Sequence, residues 1–450
     1  MMSDALSRRG FLMRGAGLAA GGVMSLANGR NALGANNRIN MAVIGIRGRG
    51  WSIARQFASL PDVRIATLCD IDENLFPERV KDIGDRQDFT PSTETDLRRV
   101  LENKDIDCVA IATADHLHAL AAILSCQAGK HVYLEKPTSH NIWEGRKVVE
   151  AARKYNRIVA AGMQNRSIMA VRAAMRFLHE GGIGEVYMAK GLCFKPRDSI
   201  GRMQDTPVPR GVHYDLWLGP APKRPFNPNR FHYNWHWCWD YGCADIGNQG
   251  PHQMDLARWG LEKTGHPRKI KSVGGYFAHD SDQETPNTQF ATFEYDDGRL
   301  IQFEVRGLYT NDENGILIGN LFYGSKGWMH LNGSTWKTYY GRSNVPGLGS
   351  DQIDLEAEEA ADPLVLTGTG GSGIFGNFIE SLRAGDGSKL SAAIIEGHMT
   401  STMSHLANIS CRLGRELTFD STTERFVGDD EADSYLTREY RTPFVVPEKV

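Results

Sequence analysis

Residues 39–50 of this chain read INMAVIGIRGRG, a short apolar strand that runs directly into a glycine-rich turn. A helix from about Ser52 to Leu60 and a second apolar strand from Val63 to Leu68 follow. A strand, a helix and a second strand in this order predict a βαβ unit. The alternation continues to residue 161. We therefore predict an α/β fold that begins with a doubly wound parallel sheet, covered by helices on both faces.

The glycine-rich turn has the features of a dinucleotide site. A pyrophosphate needs a tight turn, close backbone approach and a helix N-terminus directed at it. Asp70 ends the next strand 20 residues after Gly50, where its carboxylate can accept hydrogen bonds from ribose hydroxyls. This acid would repel a 2′-phosphate and therefore favours NAD. NADP stays open as the less favoured alternative, because the two arginines of the turn could attract that phosphate. The predicted cofactor-binding residues here are Gly45, Arg47, Gly48, Arg49, Gly50 and Asp70.

The chain changes character after about Gly162. Six strand candidates follow between residues 186 and 331, several of them joined by tight turns. They predict a second domain with a mostly antiparallel sheet, one face covered by helices that include Gln253 to Gly260 and Phe375 to Arg383, the other a subunit interface. We assign residues 36–162 to a nucleotide-binding Rossmann domain and residues 163–450 to an α/β domain for substrate binding and oligomerisation.

The N-terminus has the features of an export signal. Arg8 and Arg9 precede Phe11 and a mildly apolar, Gly/Ala-rich run that ends near residue 27. This pattern is typical of a twin-arginine signal peptide, which we place at residues 1–35, and it predicts a periplasmic or otherwise exported protein. The apolar run is too short to span a bilayer, so we expect no stable membrane anchoring.

Composition excludes one class of partner. The chain has 51 Lys and Arg against 54 Asp and Glu, a formal net charge of -3. This balance gives no basic field for nucleic acid, and we expect no nucleic-acid partner. Among seven cysteines, Cys238 and Cys243 are the only close pair, and they could form a disulfide in an oxidising compartment.

Two motifs mark the ends of adjacent strand candidates. Residues 113–118 read TADHLH and residues 133–137 read YLEKP. Both lie where parallel strands end, the position at which ligands bind such sheets. At these motifs the chain resembles the Gfo/Idh/MocA family, which is named for glucose-fructose oxidoreductase, inositol dehydrogenase and a rhizopine-catabolism protein. The resemblance extends to residues 247–255, GNQGPHQMD, and covers nearly the whole mature chain.

The resemblance implies a set of roles. Lys136 matches the lysine that contacts substrate and nicotinamide ribose, the peptide before Pro137 is expected to be cis, and His252 matches the acid/base histidine. A histidine suits the hydroxyl proton that leaves during hydride transfer, and an ammonium group beside it can stabilise the developing alkoxide. The implied substrate is a sugar or sugar-like polyol, and the implied assembly is a homodimer or homotetramer. The further predicted cofactor contacts are Thr113, His116, His118 and Glu135.

The chain departs from the family pattern at Asn248. Family members often carry an aspartate four residues before the histidine, and an asparagine cannot accept a proton as a carboxylate does. The nearest acids are Asp245 and Asp255. Asp255 could orient His252 from the next helical turn, or it could belong to an ordinary surface pair.

An aromatic segment, residues 231–241, precedes that histidine. Aromatic faces interleaved with polar groups suit a pyranose ring, and a buried strand would give the same pattern. We expect no metal, although His232, His236, Cys238 and Cys243 have spacings that a metal could use. The substrate candidates are Trp235 and Trp237, with Arg197, His213 and Tyr214 added from the resemblance.

Three functions remain open. The first is reversible oxidation of a sugar hydroxyl with NAD. Because free NAD is not expected to be regenerated readily after export, the second is a glycoside-cleaving enzyme with tightly bound NAD that oxidises the sugar transiently and is restored in each turnover. The third is a non-catalytic sugar-binding protein on the same scaffold, to which Asn248 gives some weight.

Overall fold

The structure is a computed structural model that describes residues 38–361 and 373–450. The predicted signal peptide, residues 1–35, lies outside the described residues. Two sheets and their covering helices account for the fold. The fold class is as predicted: a parallel sheet of the Rossmann type is followed by a mostly antiparallel one.

The first sheet has six parallel strands in the order β3-β2-β1-β4-β5-β6. The chain order reverses between β1 and β4, which places a ligand-binding crevice at the carboxyl ends of these strands. The strands are β1 Ile39–Ile44, β2 Val63–Cys69, β3 Ser92–Glu94, β4 Cys108–Ile111, β5 His131–Leu134 and β6 Val159–Ala161. The helices between them are α1 Gly48–Ala58, α2 Phe76–Gln87, α3 Leu97–Glu102, α4 Asp115–Gln127 and α5 Ile142–Lys154.

Two of these helices begin earlier than the sequence indicates. The first begins at Gly48 rather than near Ser52, and α4 begins at Asp115 rather than near Ala119. Because glycines and short polar residues are weak helix formers, sequence analysis places the start of such a helix too late. The shift places both predicted motif regions on the first turns of helices.

The second sheet has ten strands in the order β14-β13-β12-β11-β7-β10-β9-β8-β15-β16. Its neighbours are antiparallel except for the central β7 and β10, which run parallel. The strands are β7 Val186–Cys193, β8 Lys269–Gly275, β9 Thr288–Glu294, β10 Leu300–Arg306, β11 Ile318–Gly324, β12 Gly327–Asn332, β13 Thr335–Tyr340, β14 Val345–Gly349, β15 Leu417–Asp420 and β16 Arg425–Phe426. The other helices are α6 Met169–His179, α7 Tyr214–Leu218, α8 Ala244–Asn248, α9 Gly250–Gly260, α10 Leu355–Ala361, α11 Gly373–Ala384, α12 Ile394–Leu413 and α13 Asp430–Asp433.

One predicted helix packs against a different sheet from the one that the sequence analysis assigned to it. The helix predicted at Phe375 to Arg383, observed as α11, does not cover the antiparallel sheet. Its apolar residues Phe378 and Ile379 belong to the core beneath the parallel sheet, where Phe378 packs against Phe57 and Tyr133. The segment therefore returns to the first domain, a long-range contact that the local sequence pattern does not encode.

The longest helix, α12, was missed. Ser401 Oγ accepts a hydrogen bond from Thr138 N of the first domain at 3.0 Å, and Ser410 Oγ accepts one from Ser272 N of β8 at 2.9 Å. The helix is therefore packed between the two domains and buried on several faces. A helix buried in this way lacks the single apolar stripe by which sequence analysis finds amphipathic helices.

Candidate functional site

A cavity of about 920 Å³ lies between the carboxyl ends of the parallel strands and the second domain. The first domain contributes the glycine-rich turn, the ends of β2 to β5 and one face of α4. The second domain contributes the aromatic segment, α8, α9 and residues of β11 and β12. The volume falls within the range of small-molecule and cofactor sites.

The glycine-rich turn packs too closely for side chains. A Cβ on Gly50 would lie 1.6 Å from the Gly45 carbonyl oxygen, so α1 can approach the strand end only with glycine there. Gly45 has φ of +83°, where other residues are strained, and Gly48 also has positive φ. The first turn of α1 carries no acidic residue and no side-chain cap, so its N–H groups are available to an anion. Gly45 and Gly48 line the cavity, whereas Gly50 serves the close packing behind it.

The charged residues of this end have defined partners. Asp70 accepts backbone hydrogen bonds from Ile46 N at 2.8 Å and Asp72 N at 3.0 Å, which fixes the turn beside the carboxylate. Burial raises its pKa to about 6, and those two hydrogen bonds oppose the shift. Arg47 contacts His232, and Arg49 forms an ion pair with Glu135 at 2.8 Å. The charged residues Arg47, Arg49, Asp70, Asp72 and Glu135 and the histidine His232 all line the cavity.

The two motifs at strand ends are joined by a histidine. His118 lies with Nδ1 2.6 Å from the Pro137 carbonyl oxygen and Nε2 3.1 Å from that of Thr113, so its ring bridges the two loops. Of the four residues predicted from these motifs to contact the cofactor, Thr113, His118 and Glu135 line the cavity and His116 does not. His116 Nε2 lies 2.7 Å from the Trp217 carbonyl oxygen and its ring packs against Tyr241, so the prediction that it contacts the cofactor is not supported.

Lys136 and His252 meet at the junction of the two domains. Lys136 Nζ donates hydrogen bonds to Asn248, at 2.6 Å to its carbonyl oxygen and 3.2 Å to Oδ1. The Lys136–Pro137 peptide is cis, as the resemblance implied. His252 Nδ1 is buried and has no hydrogen-bond partner in the described part of the protein. Burial, and secondarily the Lys136 charge, lower the pKa of His252 to about 4, so its imidazole is neutral at physiological pH.

The two acids that the sequence places nearest to this histidine, Asp245 and Asp255, have other partners. Asp255 receives a two-pronged ion pair from Arg166, at 2.7 and 2.9 Å. Of the two alternatives left open for Asp255, the structure therefore favours an ion pair over the orientation of His252. Asp245 is held in the same way by Arg197, at 2.7 and 3.1 Å. Asn248 is thus the residue of this group that contacts Lys136, and the ammonium charge is left without a carboxylate partner within 4 Å among the described residues.

The aromatic segment is neither a strand nor a uniform sugar platform. It contains a short 3-10 helix at Asn234–Trp237, and Trp235 lines the cavity while Trp237 is buried behind it. The remaining substrate candidates also lie off the cavity. Arg197 is engaged by Asp245, His213 is exposed and contacts Glu73 at 2.6 Å, and Tyr214 stacks on Trp217. Trp235 and Trp237 are close in sequence but do not face the same surface, because the segment turns between them.

Several cavity residues were missed. His236 stacks on Trp235 with ring centroids 3.6 Å apart, and its Nδ1 contacts the Tyr233 carbonyl oxygen at 2.6 Å. Asp115 is buried with Oδ2 unpartnered, and burial raises its pKa to about 7, while the Lys136 charge and then hydrogen bonds from Cys243 oppose this shift. Cys238 and Cys243 are free thiols, so the disulfide that their spacing would allow is not formed. The other missed lining residues include Gln249, Gln253, Asn320, Asn332 and Phe444.

One group of potential metal ligands lies away from the cavity. His266, His398 and Glu424 are buried with their ligand atoms within 4.8 Å of one another. Both imidazoles contact Glu424 Oε1 at 2.8 Å, and Arg146 forms an ion pair with the same carboxylate. The carboxylate therefore already has three partners, which makes the group a buried polar network between α5, α12 and the β15–β16 turn.

Comparison with known proteins decides the family. Residues 39–163 match the oxidoreductase family's NAD-binding Rossmann fold, and residues 194–327 and 370–446 match its C-terminal alpha/beta domain. The chain belongs to the Gfo/Idh/MocA oxidoreductase family. Its first domain is therefore an NAD-binding Rossmann domain. No helix in residues 38–361 or 373–450 is long and apolar enough to cross a membrane.

Curated relatives of this Gfo/Idh/MocA chain include enzymes of two kinds. A levoglucosan dehydrogenase of Pseudarthrobacter phenanthrenivorans is 34% identical over 115 residues, 26% of this chain and 29% of the relative. A glycosyl hydrolase family 109 protein of Saccharopolyspora erythraea is 26% identical over 213 residues, 42% of this chain and 46% of the relative. The matched segments thus span less than half of these relatives.

Solved structures show the same fold over most of the chain. A WlbA dehydrogenase of Chromobacterium violaceum, in complex with NADH and UDP-GlcNAcA, has a TM-score of 0.61 at 21% identity and covers 85% of this chain and 96% of its own. A levoglucosan dehydrogenase with NADH and levoglucosan has a TM-score of 0.63 at 17% identity, covering 85% of this chain and 99% of its own.

Proposed function

We propose that this protein oxidises or reduces a hydroxyl-bearing carbon of a sugar or sugar-like polyol with NAD(H). The observation that carries the proposal is the junction of Lys136, Asn248 and His252 within one cavity with the glycine-rich turn. An ammonium group and a neutral imidazole at the end of a nucleotide cleft are the groups that alcohol oxidation requires.

The first domain fits NAD. The uncapped N-terminus of α1 and the closely packed turn suit a pyrophosphate, and Asp70 is available at the cavity wall for the ribose hydroxyls. The same carboxylate would repel a 2′-phosphate, which supports NAD over NADP. When bound, the nicotinamide supplies the hydride acceptor or donor.

Lys136 orients the substrate oxygen. An ammonium group has three protons, and Asn248 accepts two of them through its carbonyl oxygen and Oδ1. The third proton is free to bond the reacting hydroxyl. Because Asn248 brings no negative charge, the full positive charge of Lys136 remains to stabilise an alkoxide.

His252 moves the proton. In the direction of oxidation, its neutral imidazole accepts the hydroxyl proton as the carbonyl forms; in reduction, the imidazolium returns it. The lowered pKa keeps the base form present down to about pH 4.

Glycoside cleavage is a second candidate, favoured by the kinship with glycosyl hydrolase family 109 proteins. In that chemistry the oxidised sugar loses a proton beside the new carbonyl, the leaving group is eliminated, water adds, and the sugar is reduced again. The net reaction is hydrolysis without net NADH. The same Lys136 and His252 would act on the oxidised hydroxyl.

One experiment separates these activities and the non-catalytic alternative. The purified protein is loaded with NAD, and NADH release and aglycone release are measured in parallel with free sugars and aryl glycosides. We expect NADH from free sugars. Aglycone release without net NADH would instead establish hydrolysis, and neither product with any substrate would contradict both enzymatic functions.

We also propose export by the twin-arginine route and assembly into a homodimer or homotetramer. The second sheet supports the assembly because one of its faces exposes Tyr187, Val273, Phe290 and Leu300. Light scattering of the purified protein should give the mass of two or four chains. Replacing Arg8 and Arg9 by lysine should retain the precursor in the cytoplasm, whereas an unchanged periplasmic yield would contradict the export proposal.

A further inference from the structure

The wall that the second domain contributes to the cavity carries no formal charge. Every described lining residue from Leu216 onward is apolar, aromatic, an amide, glycine or histidine. The polar members are His232, Tyr233, His236, Asn248, Gln249, His252, Gln253, Asn320 and Asn332. By contrast, the charged lining residues, including Arg47, Asp70 and Lys136, all come from the first domain.

The two histidines deepest in this wall add no charge. Burial lowers the pKa of His236 to about 3 and that of His252 to about 4, so both rings are neutral at physiological pH. His236 Nδ1 must donate to the Tyr233 carbonyl oxygen, because that oxygen can only accept. Its Nε2 is then an acceptor in the neutral ring.

Three arginines near this wall are already paired with carboxylates. Arg49 is held by Glu135 at 2.8 Å, Arg197 by Asp245 at 2.7 Å and Arg98 by Asp96 at 2.6 Å. Lys136 remains, and its role at the reacting oxygen occupies it. Arg47 also lines the cavity, but it lies in the glycine-rich turn of the nucleotide half, where it contacts His232. The described part of the second domain's wall therefore offers no arginine fork of its own to a carboxylate or phosphate.

One buried amide, that of Asn320, has a carbonyl oxygen without a hydrogen-bond donor among the described residues. Asn320 is fully buried and lines the cavity, its Nδ2 donates to the Gln253 carbonyl oxygen at 2.8 Å, and its Oδ1 has no hydrogen-bond partner. A buried unpaired acceptor is costly, and a ligand hydroxyl would satisfy it.

We propose that the substrate is an electrically neutral sugar or glycoside, without carboxylate, phosphate or nucleotide, and that Asn320 accepts a hydrogen bond from one of its hydroxyls. This inference rests on the proposed function and narrows its substrate class. Amides and neutral imidazoles both donate and accept, as hydroxyls do, whereas an anion in this wall would lose its hydration without gaining a cation.

Matched pairs test the charge preference. Glucose, galactose and their N-acetylamino forms are compared with the corresponding uronic acids, 6-phosphates and UDP-linked sugars on the NAD-loaded protein. We expect kcat/KM for the neutral member of a productive pair to exceed that of its anionic partner by about 100-fold or more. A preference for anionic members would overturn the inference while leaving sugar oxidation in place.

Two variants localise the effect. Asn332→Arg adds a cation at the exposed rim of the cavity. It should raise the ratio of kcat/KM for the anionic member to kcat/KM for the neutral member about tenfold. Ser334→Arg, in the same turn but off the cavity, should leave this ratio unchanged. Asn320→Asp should lower kcat/KM for the neutral sugar; unchanged values would overturn the role of Asn320.

Measuring sugar binding tests the charge preference even if the protein does not oxidise sugars. The same pairs are titrated calorimetrically into the NAD-loaded Lys136→Ala protein. Tighter binding of neutral members without turnover by the unaltered protein would contradict the proposed function and retain this inference. Tighter binding of anionic members, or binding of neither member of any pair, would overturn it.

Discussion

The two halves of the cavity are built from different chemical groups. The nucleotide half is built from backbone groups and charges: a glycine turn, a helix N-terminus and carboxylates on the first domain. The substrate half is built from amides, aromatic rings and neutral histidines of the second domain. Lys136 is the charged group at their junction. Under the proposed function, backbone groups and charges would hold the cofactor, whereas shape and neutral hydrogen bonds would select the substrate.

Removing the junction charge should have the largest effect. Lys136→Ala is expected to lower turnover by about 10²–10⁴-fold, because the alkoxide and the neutral imidazole both depend on the ammonium group. NAD affinity should change by no more than a few fold. Steady-state kinetics and calorimetry check this, with the exposed Lys223→Ala as the control. Full activity of Lys136→Ala would remove the residue from the mechanism.

Breaking the nucleotide half alone should be the next largest effect. Gly50→Ala places a Cβ 1.6 Å from the Gly45 carbonyl oxygen and must displace α1 or the turn. We expect NAD affinity to fall by roughly 10- to 100-fold, the value of one or two charge-assisted hydrogen bonds. Gly84→Ala, also inside a helix but with its nearest neighbour at 3.7 Å, should bind NAD normally. Equal affinities in the two variants would show that the close approach is unimportant.

Adding a charge to the junction should shift a pH profile. In Asn248→Asp, a carboxylate beside Lys136 compensates the charge that helps to lower the pKa of His252. That pKa should rise, so the imidazole is protonated at a higher pH and the acid limb of kcat/KM moves upward, by about one unit. Asn156→Asp, on the surface, should leave the limb in place. A downward shift would contradict the assignment of His252 as the base.

The smallest expected effect is on NAD dissociation, from a change at the outer end of the nucleotide half. Phe444, from the C-terminal tail, lines the cavity with Leu97 and Arg98, on the β3 side of Asp70 where the nucleotide base would lie. Phe444→Ala should speed NAD dissociation by about three- to tenfold, without changing KM for the sugar. The exposed Tyr309→Ala serves as control. An unchanged dissociation rate would separate the tail from cofactor retention.

The sequence predicts the nucleotide half far better than the substrate half. The turn, Asp70 and the Glu135–Lys136 motif are local patterns at strand ends, so topology alone brings them together. Asn320 and Phe444 reach the cavity through long-range packing that no local pattern records. Arg197, Asp255 and His116 have suitable side chains, but ion pairs and burial commit them elsewhere. The helix α12 was missed for a related reason, since burial on several faces removes the amphipathic signal.

The most direct test is the absorbance of bound nicotinamide after NAD-loaded protein is mixed rapidly with a panel of neutral sugars and glycosides, beside the Lys136→Ala protein. The account predicts that at least one neutral compound produces a burst of reduced nicotinamide in the unaltered protein, and a burst at least about 100-fold slower in the variant. Absence of reduced nicotinamide with every compound, or equal bursts in the two proteins, would contradict it.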